Sequence, residues 1–551
     1  MVQEYRLTLP PSTLKPGTKH ESEVDGIPDA TLLLVNTGRG IHALSPRCTH
    51  YGASLVKGVL DAKSGRLRCP WHGACFAVAS GDVEDAPALD PLARFEVVER
   101  EGALWVKGEE GAIKGGKRTL DIKCAVAEGA QEKEEGIVVV GGGAGAAAAV
   151  EALRGGGYQG PLTVVSLEGY RPIDRTRLSK VLLTDVEKLV WRSEEFYKEA
   201  GIDFVFDEVT GIDFGAKKVH TKTGKSFGYG KLILASGGRP RWLPLPGLKG
   251  DLKNVFVLRA VPDAKAIMEA AGSEGGKNVV VIGSSFIGME VGNCLAGKKH
   301  NVSIIGMEKE PMERVMGTTL GKIFRSLVEK NGVKFYMGAM VDKATPSSSD
   351  SSKVGAVHLK DGTTLEADLV IEGVGIAPAT EYLKNNKDVE LLRDGSIQTD
   401  ETFAVEGLED VFAIGDIATF PYNGPGGSGA LTRIEHWDVA QNSGRAVAAA
   451  INKSTKKSFI PIFWSALGSP LRYCGNTVGG YDDVLVLGNT DSDKVSFIAY
   501  YAKGEEVVAA ASMGKDPLVM QVAQLMIHGK MPNKSELKKG VDILQIDLSE
   551  E

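Results

Sequence analysis

The chain has 551 residues, 43% hydrophobic and 25% charged, the balance of an ordinary globular protein with room for about three or four domains. A net charge of −7 leaves no basic footprint, so no nucleic-acid partner is expected, and no apolar run approaches the length of a membrane span. Residues 1–9 alternate like a strand and match neither a signal nor a transit peptide, so the chain reads as cytoplasmic.

Residues 1–107 read as a small all-β module, with short alternating runs at 30–35, 40–44 and 104–107 separated by Gly, Asp and Pro turns. Two loops interrupt that pattern: Cys48-Thr49-His50 and Cys69-Pro70-Trp71-His72, each placing one thiolate and one imidazole beside Gly52 or Gly73. Two sulfur and two nitrogen positions suit a [2Fe-2S] cluster in which two Cys hold one iron and two His the other. A Cys2His2 zinc site takes the same ligand types and is the alternative. Zinc-finger spacing, however, usually keeps the two Cys together and the two His together. Six Cys in so long a chain make no disulfide framework, and Cys75, Cys124, Cys294 and Cys474, with no C-x-x-C pair among them, read as buried or neutral.

With Cys48-x-His50, Cys69-Pro70-x-His72-Gly73 and then Ala86-Pro87-Ala88-Leu89, this module resembles a Rieske [2Fe-2S] domain over its full length, which implies Cys48, His50, Cys69 and His72 as metal ligands. In the cytochrome bc type each ligand loop carries an additional Cys, and the two form a disulfide. Ala53 and Trp71 stand at those positions here, so the module is similar to the soluble ferredoxin type. High-potential members also carry a Ser and a Tyr that donate to cluster sulfur, where this chain has Ala74 and Phe76.

Residues 108–136 are rich in Gly, Lys and Glu without periodicity and read as a linker or surface wrap. Two copies of one device follow. The apolar strand at 137–140 runs into Gly141-Gly142-Gly143-Ala144-Gly145-Ala146 and an Ala-rich helix, and the next strand ends at Glu168. The apolar strand at 279–282 runs into Gly283-Ser284-Ser285-Phe286-Ile287-Gly288-Met289-Glu290, and its successor ends at Glu308. Each is a βαβ dinucleotide fingerprint: glycines for the tight turn, a helix N-terminus for the pyrophosphate, an acid for ribose hydroxyls. One such fingerprint is weak; two with strand, helix and acid in place are strong.

The segments around the first copy, Arg171 to Lys180, Ala235-Ser236-Gly237 and Gly415-Asp416, resemble the FAD-binding set of two-dinucleotide reductases in the pyridine nucleotide-disulfide oxidoreductase superfamily. That resemblance implies an FAD site of Gly141, Gly143, Gly145, Ala146, Glu168, Arg175, Lys180, Ala235, Gly237, Gly415, Asp416, Glu435 and His436. Trp437 is implied to lay its ring against the flavin. The second copy is then the NADH site, with Gly283, Ser285, Gly288, Glu290, Glu308 and Gly375. Glu308 favours a free 2′-hydroxyl over a 2′-phosphate. Lys180, Glu290 and Trp437 are the expected catalytic residues, with the Lys–Glu pair beside the flavin where the nicotinamide stacks.

The expected order is therefore an N-terminal all-β Rieske domain, two α/β Rossmann-like dinucleotide-binding domains (FAD at 137–258 and 378–446, NADH at 259–377), and an α+β interface domain at 447–551 that closes the flavin pocket or supports a homodimer. This order resembles the Rieske-containing members of the apoptosis-inducing factor-like family. The resemblance implies an oxidoreductase passing electrons from NADH through FAD to its own cluster and on to an acceptor the sequence does not name. A redox-sensing or death-signalling NADH-binding protein, and an NADH oxidase using oxygen or quinone, are the other readings. Because Ala74 and Phe76 lack the hydroxyl donors, the isolated N-terminal domain should titrate near the low end of the Rieske range, about −150 mV; a clearly positive midpoint would contradict this.

Overall fold

The computed structural model describes residues 1–120, 122, 136–454, 459–491 and 493–548. Its N-terminal module pairs a six-stranded antiparallel sheet with a four-stranded one made of Val59–Asp61, Arg66–Arg68, Cys75–Ala77 and Val83–Asp85. The strand Thr31–Asn36 is buried on both faces, because Leu32 and Leu34 enter one core with Phe95 and Val106 while Leu33 and Val35 enter another with Cys48, Cys69 and Phe76. The ligand loops are thus rooted in a dry core of their own.

The boundary at 107 moves. A short helix, Glu110–Gly115, buries Ile113 in the core of the module, Lys117 bridges to Leu92, and Arg118 donates to the Ser80 carbonyl. Through Arg118 the expected linker is therefore packed against the module, since one apolar side chain per turn suffices to pin it. Residues 121 and 123–135, with Cys124, lie outside the described residues.

Two five-stranded parallel sheets follow. In the first, Ile137–Val140 is central between Leu162–Ser166 and Lys231–Leu234; in the second, Asn278–Ile282 lies between Asn301–Gly306 and Leu369–Glu372. Ile137–Val140 is buried at all four positions, as a strand covered by helices on both faces requires. One cover is the helix Ala144–Gly155, whose small residues let it touch the helix Trp437–Ile451: a Cβ on Gly444 would stand 2.4 Å from the Gly145 carbonyl oxygen. That second helix runs to Ile451 and crosses the expected boundary at 446. Val255–Phe256 pairs with Leu369–Glu372, so the second sheet begins before 259, and Ile376–Pro378 pairs back onto Gly238–Pro240 across the boundary at 377.

The C-terminal unit is a five-stranded antiparallel sheet backed by the helix Leu518–Ile527. The N-terminal module is seated between this unit and the first parallel sheet with its helices. Arg68 donates to the Gly73 carbonyl at 2.8 Å, to Asp85 at 2.9 Å and to Gln524 at 3.3 Å; Ala86 N–H donates to Asn442 Oδ1 at 2.9 Å. Gly73 faces Ile462 and Met520 so closely that a Cβ would lie 2.8 Å from Ile462 Cδ1.

The strongest anchor is Arg192, buried and paired with Asp90 of the module and, at 3.0 Å, with Glu151, while it also donates to the Leu89 carbonyl at 2.9 Å. Removing one member of a buried ion network strands the others. Arg192→Ala should therefore cost about 3–5 kcal/mol in denaturant unfolding, with the N-terminal module becoming the first protease-sensitive segment.

Candidate functional site

The cluster loops are held by their own backbones. Cys48 N–H donates to the Ala53 carbonyl at 2.9 Å and Cys69 N–H to the Ala74 carbonyl at 2.7 Å. This turns the amides of His50 and Tyr51 onto the Cys48 sulfur and those of Trp71 and His72 onto the Cys69 sulfur. The two thiols hydrogen-bond each other, which pushes the Cys48 proton affinity up and holds Cys69 down. On the other side the Nδ1 atoms of His50 and His72 face one another at 3.0 Å. The four side chains thus gather as a sulfur pair and a nitrogen pair, an arrangement that suits the two ends of a two-iron cluster. Burial, opposed by Asp174, brings His50 down to about 4; burial, the proximity of the His50 ring and the cations Arg472 and Lys180 lower His72 further. Both imidazoles are therefore neutral, the form that binds metal.

The two fingerprints superpose in kind. Gly141 and Gly283 share φ +109°, and a Cβ on either would meet a carbonyl oxygen of the neighbouring strand end, Ala235 or Gly373, at 2.3 Å. Ahead of the helix Ala144–Gly155, a Cβ on Gly143 would meet nothing within 4 Å, the open cradle a pyrophosphate needs. Gly145 and Ala146 are buried in the first turn of that helix, and Gly237 and Gly415 take positive φ on the loops opposite. Glu168 pairs with Arg175 at 2.6 Å and Asp416 with Arg259 at 2.6 Å. Burial works to raise the Glu168 pKa, but the charge and hydrogen bond of Arg175 outweigh it, so the carboxylate stays ionised. In the second copy Ser285 turns its hydroxyl onto the Gly373 carbonyl at 3.3 Å, and a Cβ on Gly288 would strike the Gly283 carbonyl oxygen at 2.0 Å. Glu308 pairs with the exposed Arg314 at 2.8 Å, and Gly375 stands at φ +96° in open space where the chain leaves the second sheet.

Between the two nucleotide sites, the helix Thr176–Lys180 shares an apolar core with the helix Phe286–Gly297 through Leu178 and Met289. Lys180 Nζ lies 3.0 Å from Glu290 Oε1, and the buried Glu290 also accepts from Ser179 at 2.5 Å and Ser465 at 2.6 Å. His436 caps the helix Trp437–Ile451, its Nδ1 accepting the Asp438 amide at 3.2 Å, so Nε2 carries the proton. Burial, then the Lys180 charge, takes its pKa down to about 3, so the ring is neutral. Trp437 stacks on His50 at 6.0 Å and meets Trp191 edge-on at 4.9 Å, and its indole N–H is buried without a partner. Glu435 is paired with Arg433 at 2.6 Å.

Several side chains at this junction escaped the sequence reading. The strand Ile462–Ala466 divides them by strand alternation. Ile462 and Trp464 face the Rieske module, Trp464 lying 4.5 Å from His72 and 5.6 Å from His50, while Phe463 and Ser465 face Phe286 and Glu290. Tyr51 stacks on His50 at 3.9 Å and donates to Asp174. The signal available for this strand was an alternating apolar run with a lone Trp, which any β-strand displays.

The family described as pyridine nucleotide-disulphide oxidoreductase matches residues 135–444, and that described as Rieske [2Fe-2S] domain matches residues 5–96. The chain is 36% identical over 511 residues to Apoptosis-inducing factor 3 of Homo sapiens, covering 92% of this chain and 82% of the relative. It is 29% identical over 425 residues to the chloroplastic/mitochondrial monodehydroascorbate reductase of Arabidopsis thaliana, covering 71% and 82%. Among solved structures, a chain of the covalent putidaredoxin reductase–putidaredoxin complex matches with TM-score 0.68 and 27% identity, over 73% of this chain and 95% of that one.

If Cys48, His50, Cys69 and His72 hold the cluster, Cys69→Ser and His72→Cys should each abolish the Rieske EPR spectrum while leaving FAD bound. An unchanged spectrum would contradict the ligand set.

Proposed function

Because this chain belongs to the pyridine nucleotide-disulphide oxidoreductase family, and within it to the Rieske-containing apoptosis-inducing factor-like branch, we propose that it passes electrons from NADH by way of FAD to its own Rieske cluster, and from there to a separate acceptor. It is a ferredoxin-reductase-like flavoprotein oxidoreductase that carries its Rieske module in the same chain. The observation that carries the reading is the packing of His50 and His72 against Trp437 and Trp464. When bound, the cofactors supply hydride acceptance at the flavin and one-electron storage at the cluster.

The chain's own residues supply the setting. Three donors fix the Glu290 carboxylate, which in turn fixes the Lys180 ammonium at the junction of the two nucleotide sites. A cation held there stabilises negative charge arriving on a ring beside it without reorganising. His436 offers Nε2–H as a neutral donor, and Trp437 with Trp191 keeps water from the face they cover. Glu308 stands where a ribose hydroxyl donates, and the exposed Arg314 beside it is screened by solvent, so NADH is favoured over NADPH.

Anaerobic stopped-flow mixing with NADH tests this. Flavin bleaching should precede cluster reduction, and Trp464→Ala should slow only the second phase, by about tenfold or about 1.4 kcal/mol of barrier. A cluster that stays oxidised while the flavin is reduced would refute the path, and faster reduction by NADPH would refute the role of Glu308.

A further inference from the structure

The C-terminal sheet brings a guanidinium to the cluster from outside the Rieske module. Arg472 lies on the strand Pro470–Gly475, in register with Trp464, the ring that packs on both ligand histidines. Its side chain is buried. Among the described residues its acid partner is Asp516, at 3.4 Å from Nε and 3.5 Å from Nη2, and Nε makes no hydrogen bond. Asp516 is itself one-third exposed, so the buried cation is only partly neutralised.

Directly paired residues of adjacent strands present their side chains on the same face, so Arg472 stands beside Trp464 on the face turned to His50 and His72, and the field of this cation falls on the ligand loops. Inside the module the sulfur-facing positions are apolar, Ala74 and Phe76 both being fully buried in the core around Cys48 and Cys69.

We propose that Arg472, supplied by the C-terminal domain, raises the reduction potential of the seated [2Fe-2S] cluster, doing from across the interface what hydroxyl donors do within other Rieske domains. Reduction adds one electron and no proton at this group, so a fixed positive charge nearby favours the reduced form. The inference rests on the reading that Cys48, His50, Cys69 and His72 hold the cluster. Arg472 is a positioning residue, acting by its field through the ligand loops.

The test is a mediated dithionite titration of the full-length holoprotein, with the cluster followed by EPR and the flavin by absorbance. Arg472→Gln should lower the cluster midpoint by the equivalent of about tenfold in the one-electron equilibrium, about 59 mV, with line positions and flavin midpoint unchanged; Arg472→Lys should restore most of it. Asp516→Asn, which removes the partial counter-charge, should shift the midpoint the other way. An unchanged midpoint in Arg472→Gln, or shifts of the same sign in Arg472→Gln and Asp516→Asn, would overturn the proposal. Should Arg472→Gln fail to accumulate, Asp516→Asn decides alone, an upward shift supporting it and any other result overturning it. A wild-type protein without a Rieske signal would overturn the ligand assignment and this proposal together. NADH failing to reduce the cluster would overturn only the electron path, since the mediated titration does not depend on it.

Discussion

Water exclusion at the edges of His50 and His72 is the constraint on which the rest of the structure depends. Two imidazoles stay neutral and aimed at one point only if nothing protonates them, and here that follows from rings pressed against them by near and distant parts of the chain: Tyr51 from the loop itself, Trp437 from a helix of the first nucleotide-binding unit, Trp464 from the C-terminal sheet. The same contacts hold the module in its seat. Polar anchors surround them, with Tyr51 on Asp174, Arg192 between Asp90 and Glu151, and Arg68 satisfied by Gly73, Asp85 and Gln524. Asp174, Arg192, Asp90, Glu151 and Arg68 are buried, so the docked arrangement is specified by geometry that a shifted module would leave unpaired.

The two nucleotide units show how one backbone solution is used twice and then diversified. Gly141 and Gly283 meet the same steric limit to the tenth of an ångström. What differs is peripheral to that turn: Gly143 is left open in the first copy, whereas Ser285 closes back on Gly373 in the second. The acids that end the following strands are each answered by an arginine, Arg175 and Arg314, one largely buried and the other in solvent.

Legibility in the sequence followed locality. The Cys48-x-His50 and Cys69-x-x-His72 motifs and both fingerprints are short, with spacing dictated by a turn, a helix start or a strand end, and they stand out in the sequence for that reason. Lys180 and Glu290 lie far apart in sequence, and only resemblance joined them. Arg192, Trp464, Ser465 and Arg472 carry no local pattern; their positions arise from how three units pack, which no spacing encodes. The boundaries at 107, 258, 377 and 446 shifted because single side chains or short strands crossed them, Ile113 and Val255 among them. The run at 31–35 alternates less than a half-exposed strand would because both its faces are covered.

The strand Ile462–Ala466 acts as a partition one backbone thick. Ile462 and Trp464 look toward the metal loops, and Phe463 and Ser465 toward the Lys180–Glu290 pair. Since side chains alternate with a period of two, a slip of one residue against Pro470–Gly475 would exchange the two sets wholesale. A side-chain change on one face leaves the other in place, but a change of register moves both: the pairing register of a single hairpin is a shared coordinate for the seat of the metal loops and for the ion pair behind them.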